Sequence, residues 1–140
     1  MRSLVLHSLN QQRVSRVLNR FAVSENQEDN LIAVDQFLRS KFIYSSEEIE
    51  TLQSPDYMLS NLDNYERLVG DCDDITTLHA TILKLLGFQV RFTSIRSVRT
   101  NPNFDHVYLE VFTDGKWIPF DITIPQGTTI EYFAKLTVEV

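Results

Sequence analysis

The run that opens at Gly70 and closes at Gly87 constrains this chain more than any other. Asp71 is a strong helix N-cap, because its carboxylate accepts N–H groups that the first turn leaves unpaired. Asp74 stands three residues later, where the reciprocal acid of a capping box belongs. Ile75, Leu78, Ile82, Leu85 and Leu86 recur at helical spacing, and Gly87 suits the left-handed position that ends many helices. The spacing predicts a helix over residues 72–86, about four turns at 3.6 residues each. Three alternating segments follow. Val90 and Phe92 share a face in 89–98, Val107, Leu109 and Val111 in 106–112, and Ile118, Phe120 and Ile122 in 116–124. Asp114-Gly115 between the last two is a type I′ hairpin signal, and residues 129–140 offer one more strand.

The half before Gly70 reads as helical. Val14, Val17, Leu18 and Phe21 keep helical spacing. Ser24 with Gln27 looks like a capping box, opening a helix with Leu31, Val34, Leu38 and Phe42 along one stripe. Residues 45–55 are polar, a turn or short helix, and Pro55 disfavours helical backbone at Ser54. Helices first and an antiparallel sheet second make an α+β domain. At 140 residues the chain is one domain, 1–140, and buries roughly 68–70% of its unfolded surface, so it folds without a metal or disulfide. The 43% hydrophobic and 23% charged content is that of an ordinary globular chain.

Charge and cysteine content narrow the function classes. The net charge of −6 disfavours nucleic acid as the main partner. Residues 1–20 nevertheless carry Arg2, Arg13, Arg16 and Arg20 and no acid. A solvated helix face accounts for them; the sharper reading makes residues 1–22 a docking arm for an acidic partner. No apolar run approaches the ~20 residues that span a bilayer, and the start lacks a signal-peptide core, so no membrane contact and a cytoplasmic location are expected. The single cysteine, Cys72, excludes an internal disulfide and the usual structural zinc sites.

Cys72 is also the first residue of the expected helix. Unpaired N–H groups there stabilise a thiolate, whereas Asp73 and Asp74 oppose one, so activation requires a cation, usually histidine. The hairpin supplies a candidate. A two-residue turn at Asp114-Gly115 pairs Tyr108 with Asp121 and makes His106 and Asp121 diagonal neighbours on one face, roughly 7–8 Å apart at Cα. A loop one residue longer would flip that register. Cys72, His106 and Asp121 then offer a nucleophile, a base and an orienting carboxylate within residues 70–124. The Cys72 N–H is one oxyanion donor. Asn64, Tyr65 and Asp71 are the further oxyanion- or substrate-binding candidates, with Asn61 also open.

Blander readings stand beside these. A lone buried cysteine is usually a small hydrophobe. His79 follows Cys72 by seven residues, but zinc wants more ligands than that pair offers; a histidine packed beside the apolar stripe explains it. Asp71, Asp73 and Asp74 lack EF-hand spacing and read as cap and first-turn acids. Arg91, Arg96 and Arg99 read as a solvated edge or as holders of an acidic substrate, and Trp117 as core. No metal or cofactor is expected.

Gly70-Asp71-Cys72-Asp73-Asp74 with its Leu-rich helix, the segment Asp105-His106-Val107-Tyr108-Leu109-Glu110-Val111, and the segment Gly115-Lys116-Trp117-Ile118-Pro119-Phe120-Asp121 together resemble the transglutaminase-like superfamily. The resemblance covers residues 31–123. It implies a papain-like α+β core, with a nucleophile-bearing helix packed on an antiparallel sheet, and acyl transfer through a thioester. The compact form looks most like small proteins of bacteriophages and prophages, which would place it in a host cytoplasm. Val107 departs from the family, where an aromatic residue often follows the histidine. Accessory β-domains like those of animal transglutaminases are absent from this sequence, which favours hydrolysis of a peptide or side-chain amide over protein crosslinking or deamidation. The alternative is a catalytically silent phage assembly protein that docks through its basic arm.

Overall fold

The structure, a computed structural model, describes residues 1–46 and 51–140. Helices α1 (Arg2–Ser8) and α2 (Gln12–Arg16) lead through a 3-10 turn, Val17–Arg20, to α3 (Gln27–Lys41). A short strand β1 (Phe42–Tyr44), helix α4 (Pro55–Tyr65) and strand β2 (Leu68–Gly70) precede α5 (Cys72–Leu85). Strands β3 (Val90–Arg96), β4 (His106–Thr113), β5 (Lys116–Phe120) and β6 (Ala134–Glu139) complete the chain. The last four form one antiparallel sheet in the order β5-β4-β3-β6, whereas β1 and β2 pair in parallel. This is the expected α+β architecture.

Helix α5 is the axle of the fold. Every residue from Asp74 to Leu83 is buried, because α1, α3 and α4 cover one side and β3 and β4 the other. Its apolar stripe meets Val90, Phe92, Val107, Leu109 and Val111 of the sheet. At roughly 1.5–3 kcal/mol for each fully buried aliphatic or aromatic side chain, this packing dominates the stability of the domain.

Several expectations shift. Helix α3 is capped by Asn26, which accepts the Asp29 N–H at 3.1 Å, rather than by Ser24. Ser24 is spent in the preceding turn, where its hydroxyl accepts the Asn26 N–H and its own N–H donates to Asn30 Oδ1. Phe42 leaves the helix for β1. Helix α4 falls in the half that reads as helical, with bounds that the sequence reading leaves open. Ser54 is extended, as Pro55 requires, and caps α4 by accepting the Tyr57 N–H; Pro55 then fits the first turn, where its missing N–H costs nothing. Of the polar segment 45–55, residues 47–50 lie outside the described residues. Strand β5 stops at Phe120, and Ile122 enters the core from the turn beyond it. Residues 1–20 pack onto the domain through Val5, Val14 and Val17. Arg13 pairs with Asp56 and Asp63, and Arg20 with Glu66, so these two arginines face acids of the same chain.

Gly70 joins β2 to the cap of α5. A Cβ there would lie 2.6 Å from Asp74 Oδ2 and 2.8 Å from Asp74 Cβ. The Asp74 carboxylate cannot swing aside cheaply, because it accepts the Gln53 N–H at 2.7 Å, the Gln53 side chain at 2.8 Å and the Asp71 N–H at 3.2 Å. Gly70→Ala is therefore expected to destabilise the domain by roughly 1–3 kcal/mol. A urea midpoint equal to that of the wild type would show that Asp74 is not held in this way.

Candidate active site

The capping box at the start of α5 sets the position of Cys72. Asp71 Oδ1 accepts the Asp73 and Asp74 N–H groups at 3.2 and 3.4 Å, and Asp74 Oδ2 accepts the Asp71 N–H in return. Cys72 is thus the first helical residue, half-buried, beside the positive end of the helix. Asp73 shows the opposing field: burial first, then Asp71 and Asp74, push its carboxyl up to about 7.

His106 opens β4 and pairs across the sheet with Ile95. The hairpin keeps the expected register, from Thr113 opposite Lys116 to Leu109 opposite Phe120. Asp114 and Gly115 have φ of 51° and 76°, the positive values a type I′ turn requires. The diagonal pair meets: His106 Nε2 lies 2.5 Å from Asp121 Oδ2. The Tyr108 ring, nearly inaccessible, stacks beside the imidazole with centroids 6.2 Å apart and planes 28° from parallel. Asp121 is buried, and its other oxygen accepts the Thr123 N–H at 2.9 Å and the Thr123 hydroxyl at 2.7 Å. Burial pushes Asp121 up, but the bonds from His106 and Thr123 outweigh it and hold the carboxyl below its ordinary value.

His106 is hydrogen-bonded to Asp121 and shares a cleft with Cys72. The Asp121 bond, then the neighbouring Cys72, raise it to about 10 against the contrary effect of burial. With Nε2 on Asp121, Nδ1 is the nitrogen left for the thiol. Two clefts open on this imidazole. One, of about 240 Å³, is lined by Asp71, Cys72, Asp73, Phe104 and Asp105; the other, of about 370 Å³, by Tyr44, Ser97, Thr123 and Ile124. A larger groove of about 500 Å³ between α2 and α4 is lined by Arg13, Arg16 and Arg20 but contains no nucleophile.

The structure brings Cys72, His106 and Asp121 together, with Asp71 beside the thiol as its helix cap. Asn64 and Tyr65 sit at the end of α4 and line neither cleft; Tyr65 is 65% exposed. Asn61 lines a separate groove with Tyr57 and Val69. Tyr44 escaped the sequence reading. It reaches the site because β1 pairs with β2, setting Tyr44 opposite Gly70. Its phenol is raised by partial burial, then by Cys72, Asp71 and Asp73.

The bystanders also resolve. His79 is buried edge-on to Phe120, and burial, then Arg39, lower it to about 3. One oxygen from each of Asp71, Asp73 and Asp74 lies within 4.8 Å of the others, but Asp71 Oδ1 and Asp74 Oδ2 already accept the N–H groups of the capping box. Arg91 is not part of a free solvated edge: it bonds Glu110 at 2.6 Å and lies over the Trp117 ring at 4.3 Å.

The family model of the transglutaminase-like superfamily matches residues 16–122. The chain belongs to the transglutaminase-like superfamily. Comparison with curated proteins gives no match. Among solved structures, a protein from Cytophaga hutchinsonii described as a candidate cysteine protease is similar in fold, with a TM-score of 0.58 and 21% identity over 85% of this chain and 42% of that one. A chain of the complex of Rad4 and Rad23 bound to a 6-4 photoproduct UV lesion aligns with a TM-score of 0.41 and 15% identity, over 87% of this chain and 34% of that one. This transglutaminase-like domain therefore spans less than half of each neighbour. No helix among the described residues is long and apolar enough to cross a membrane.

The site couples to stability in a defined direction. His106 binds its proton more tightly folded, at about 10, than at its ordinary 6.5. Its contribution is complete below pH ~6.5 and drains away as pH rises through ~10. The stability gap between wild type and His106→Gln, read from urea midpoints, is expected to shrink steadily from pH 6.5 to 10. A gap constant over that window contradicts the bonding described.

Proposed function

We propose that this domain is a thiol-dependent hydrolase of peptide or side-chain amides. The observation that carries the reading is a single imidazole hydrogen-bonded to Asp121 and lining one cleft with Cys72 at the start of α5. Family membership supports the same chemistry. In this reading Cys72 and His106 rest as a thiolate and an imidazolium. The sulfur attacks the amide carbon, a C–S bond forms, and the carbonyl oxygen becomes an oxyanion. The Cys72 N–H at the helix start and the Tyr44 hydroxyl donate to it. His106 passes its proton to the departing nitrogen, the C–N bond breaks, and a thioester remains. Water, deprotonated by His106, then attacks the thioester and releases the acid and the thiol. Asp121 holds the imidazole in one tautomer and stabilises its charged form throughout. The clefts on either side of His106 give water a route to the thioester.

Digestion of a mixed peptide library tests this, with new N-termini and released ammonia counted separately. The wild type is expected to turn over, and Cys72→Ala to show none. Asp121→Asn is expected to lower kcat by about 10⁴-fold, and Tyr44→Phe by roughly 10²-fold. Turnover that survives Cys72→Ala rules the mechanism out. Ammonia without new N-termini narrows the reaction to side-chain amides.

A further inference from the structure

We propose that Arg39 is a positioning residue for this site, acting through the backbone that carries Asp121. The inference rests on the function proposed above and adds a component from the first half of the chain.

Asp121 occupies a vulnerable place. Sheet pairing ends one residue earlier, at Phe120 opposite Leu109, so no ladder bond to β4 fixes the Asp121 peptide. Yet its carboxylate must stay within hydrogen-bonding distance of His106 Nε2, and a displacement of 1 Å would cost most of that bond. Two groups hold the turn instead. Thr123 ties down the carboxylate oxygen that His106 does not use. Arg39 holds the backbone: Nη2 donates to the Asp121 carbonyl at 2.7 Å, and Nη1 donates to the Ile124 carbonyl. A guanidinium makes both bonds at once because its donors lie in one rigid plane.

The fork is itself braced. Arg39 Nε donates to Asp35 Oδ2 at 2.8 Å, one helical turn back on α3. Leu31, Val34 and Leu38 lock that helix into the core. Asp35 is 3% exposed, and its second oxygen, Oδ1, is buried without a partner. Burying an ion pair with an unsatisfied oxygen is a poor way to gain stability, since desolvation offsets much of the attraction. The arrangement makes better sense as geometry: it fixes the guanidinium plane, and the plane fixes the turn from 121 to 124.

Three roles for Arg39 predict different titrations of His106. A positioning role means that losing Arg39 loosens Asp121 and lowers the His106 midpoint. A purely electrostatic role predicts the reverse, because removing a nearby cation favours the imidazolium. A purely structural role lowers stability and leaves the midpoint alone. The experiment is NMR titration of the imidazole signals in the full chain, with His106 assigned by its loss in His106→Gln. Wild type, Arg39→Met, Asp121→Asn and the double variant are compared. The wild-type midpoint is expected near 10. Arg39→Met is expected to lower it by about one unit or more, a tenfold change in proton affinity. The double variant is expected to match Asp121→Asn alone, because Arg39 acts only through Asp121.

A His106 midpoint that is unchanged or raised in Arg39→Met overturns the inference, as does a double variant that falls well below Asp121→Asn. If the wild-type midpoint lies near 6.5 and ignores Asp121→Asn, the functional reading fails instead. Should Arg39→Met not fold, Arg39→Lys decides. Its single ammonium cannot bridge both carbonyls in the guanidinium's plane, so a smaller fall supports the proposal and no fall overturns it.

Discussion

Asp74 is the residue on which the site's geometry rests. Its buried carboxylate receives hydrogen bonds from the Gln53 backbone, the Gln53 side chain and the Asp71 N–H. A buried charge without such partners would cost several kcal/mol, so the bonds and the burial require one another. Together they join the segment before α4 to the first turn of α5, and they leave room at residue 70 only for glycine. Cys72 can therefore sit at one place and in one direction. The capping box both satisfies the unpaired N–H groups of the first turn and fixes the place of Cys72.

The charge balance explains why three residues are needed where a helix terminus alone would not do. The N–H groups at the start of α5 favour a thiolate, but Asp71, Asp73 and Asp74 crowd the same turn; burial first, then Asp71 and Asp74, raise the carboxyl of Asp73. A cation must tip the balance. His106 is half-buried, which by itself would discourage its charge; its bond to Asp121, then the neighbouring Cys72, more than reverse this. Asp121 can play its part because, against the effect of burial, the bonds from His106 and then Thr123 hold its carboxyl below its ordinary value. Each group is strained alone and favourable in company, which is how preorganised sites store their electrostatics.

Much of this was legible in the sequence because its signals were local. Asp71, Asp74 and Gly87 mark both ends of α5, and Asp114-Gly115 fixes a hairpin register that carries over to the pair of His106 and Asp121. What escaped depended on distant contacts. The parallel pairing of β1 with β2 is three residues long, too short for a periodic pattern, so Tyr44 could not be placed and Asn64 and Tyr65 drew attention instead. For helix α4, Pro55 marked Ser54 as extended, and that reading holds; the helix that starts at Pro55 itself carried no separate signal. Arg39 with Asp35 looks like any exposed pair one helical turn apart; only the fold turns its guanidinium towards carbonyls more than eighty residues away.

In the proposed function, His106 activates Cys72. The most direct measurement is the rate of Cys72 alkylation by iodoacetamide from pH 4 to 10, in wild type and His106→Ala, with intact-protein mass as the readout. The account predicts rapid alkylation of the wild type at neutral pH and below. In His106→Ala the profile should move towards that of a free thiol, with its midpoint near 8.5. Identical profiles in the two proteins, or a thiol that does not react at any pH, would contradict it.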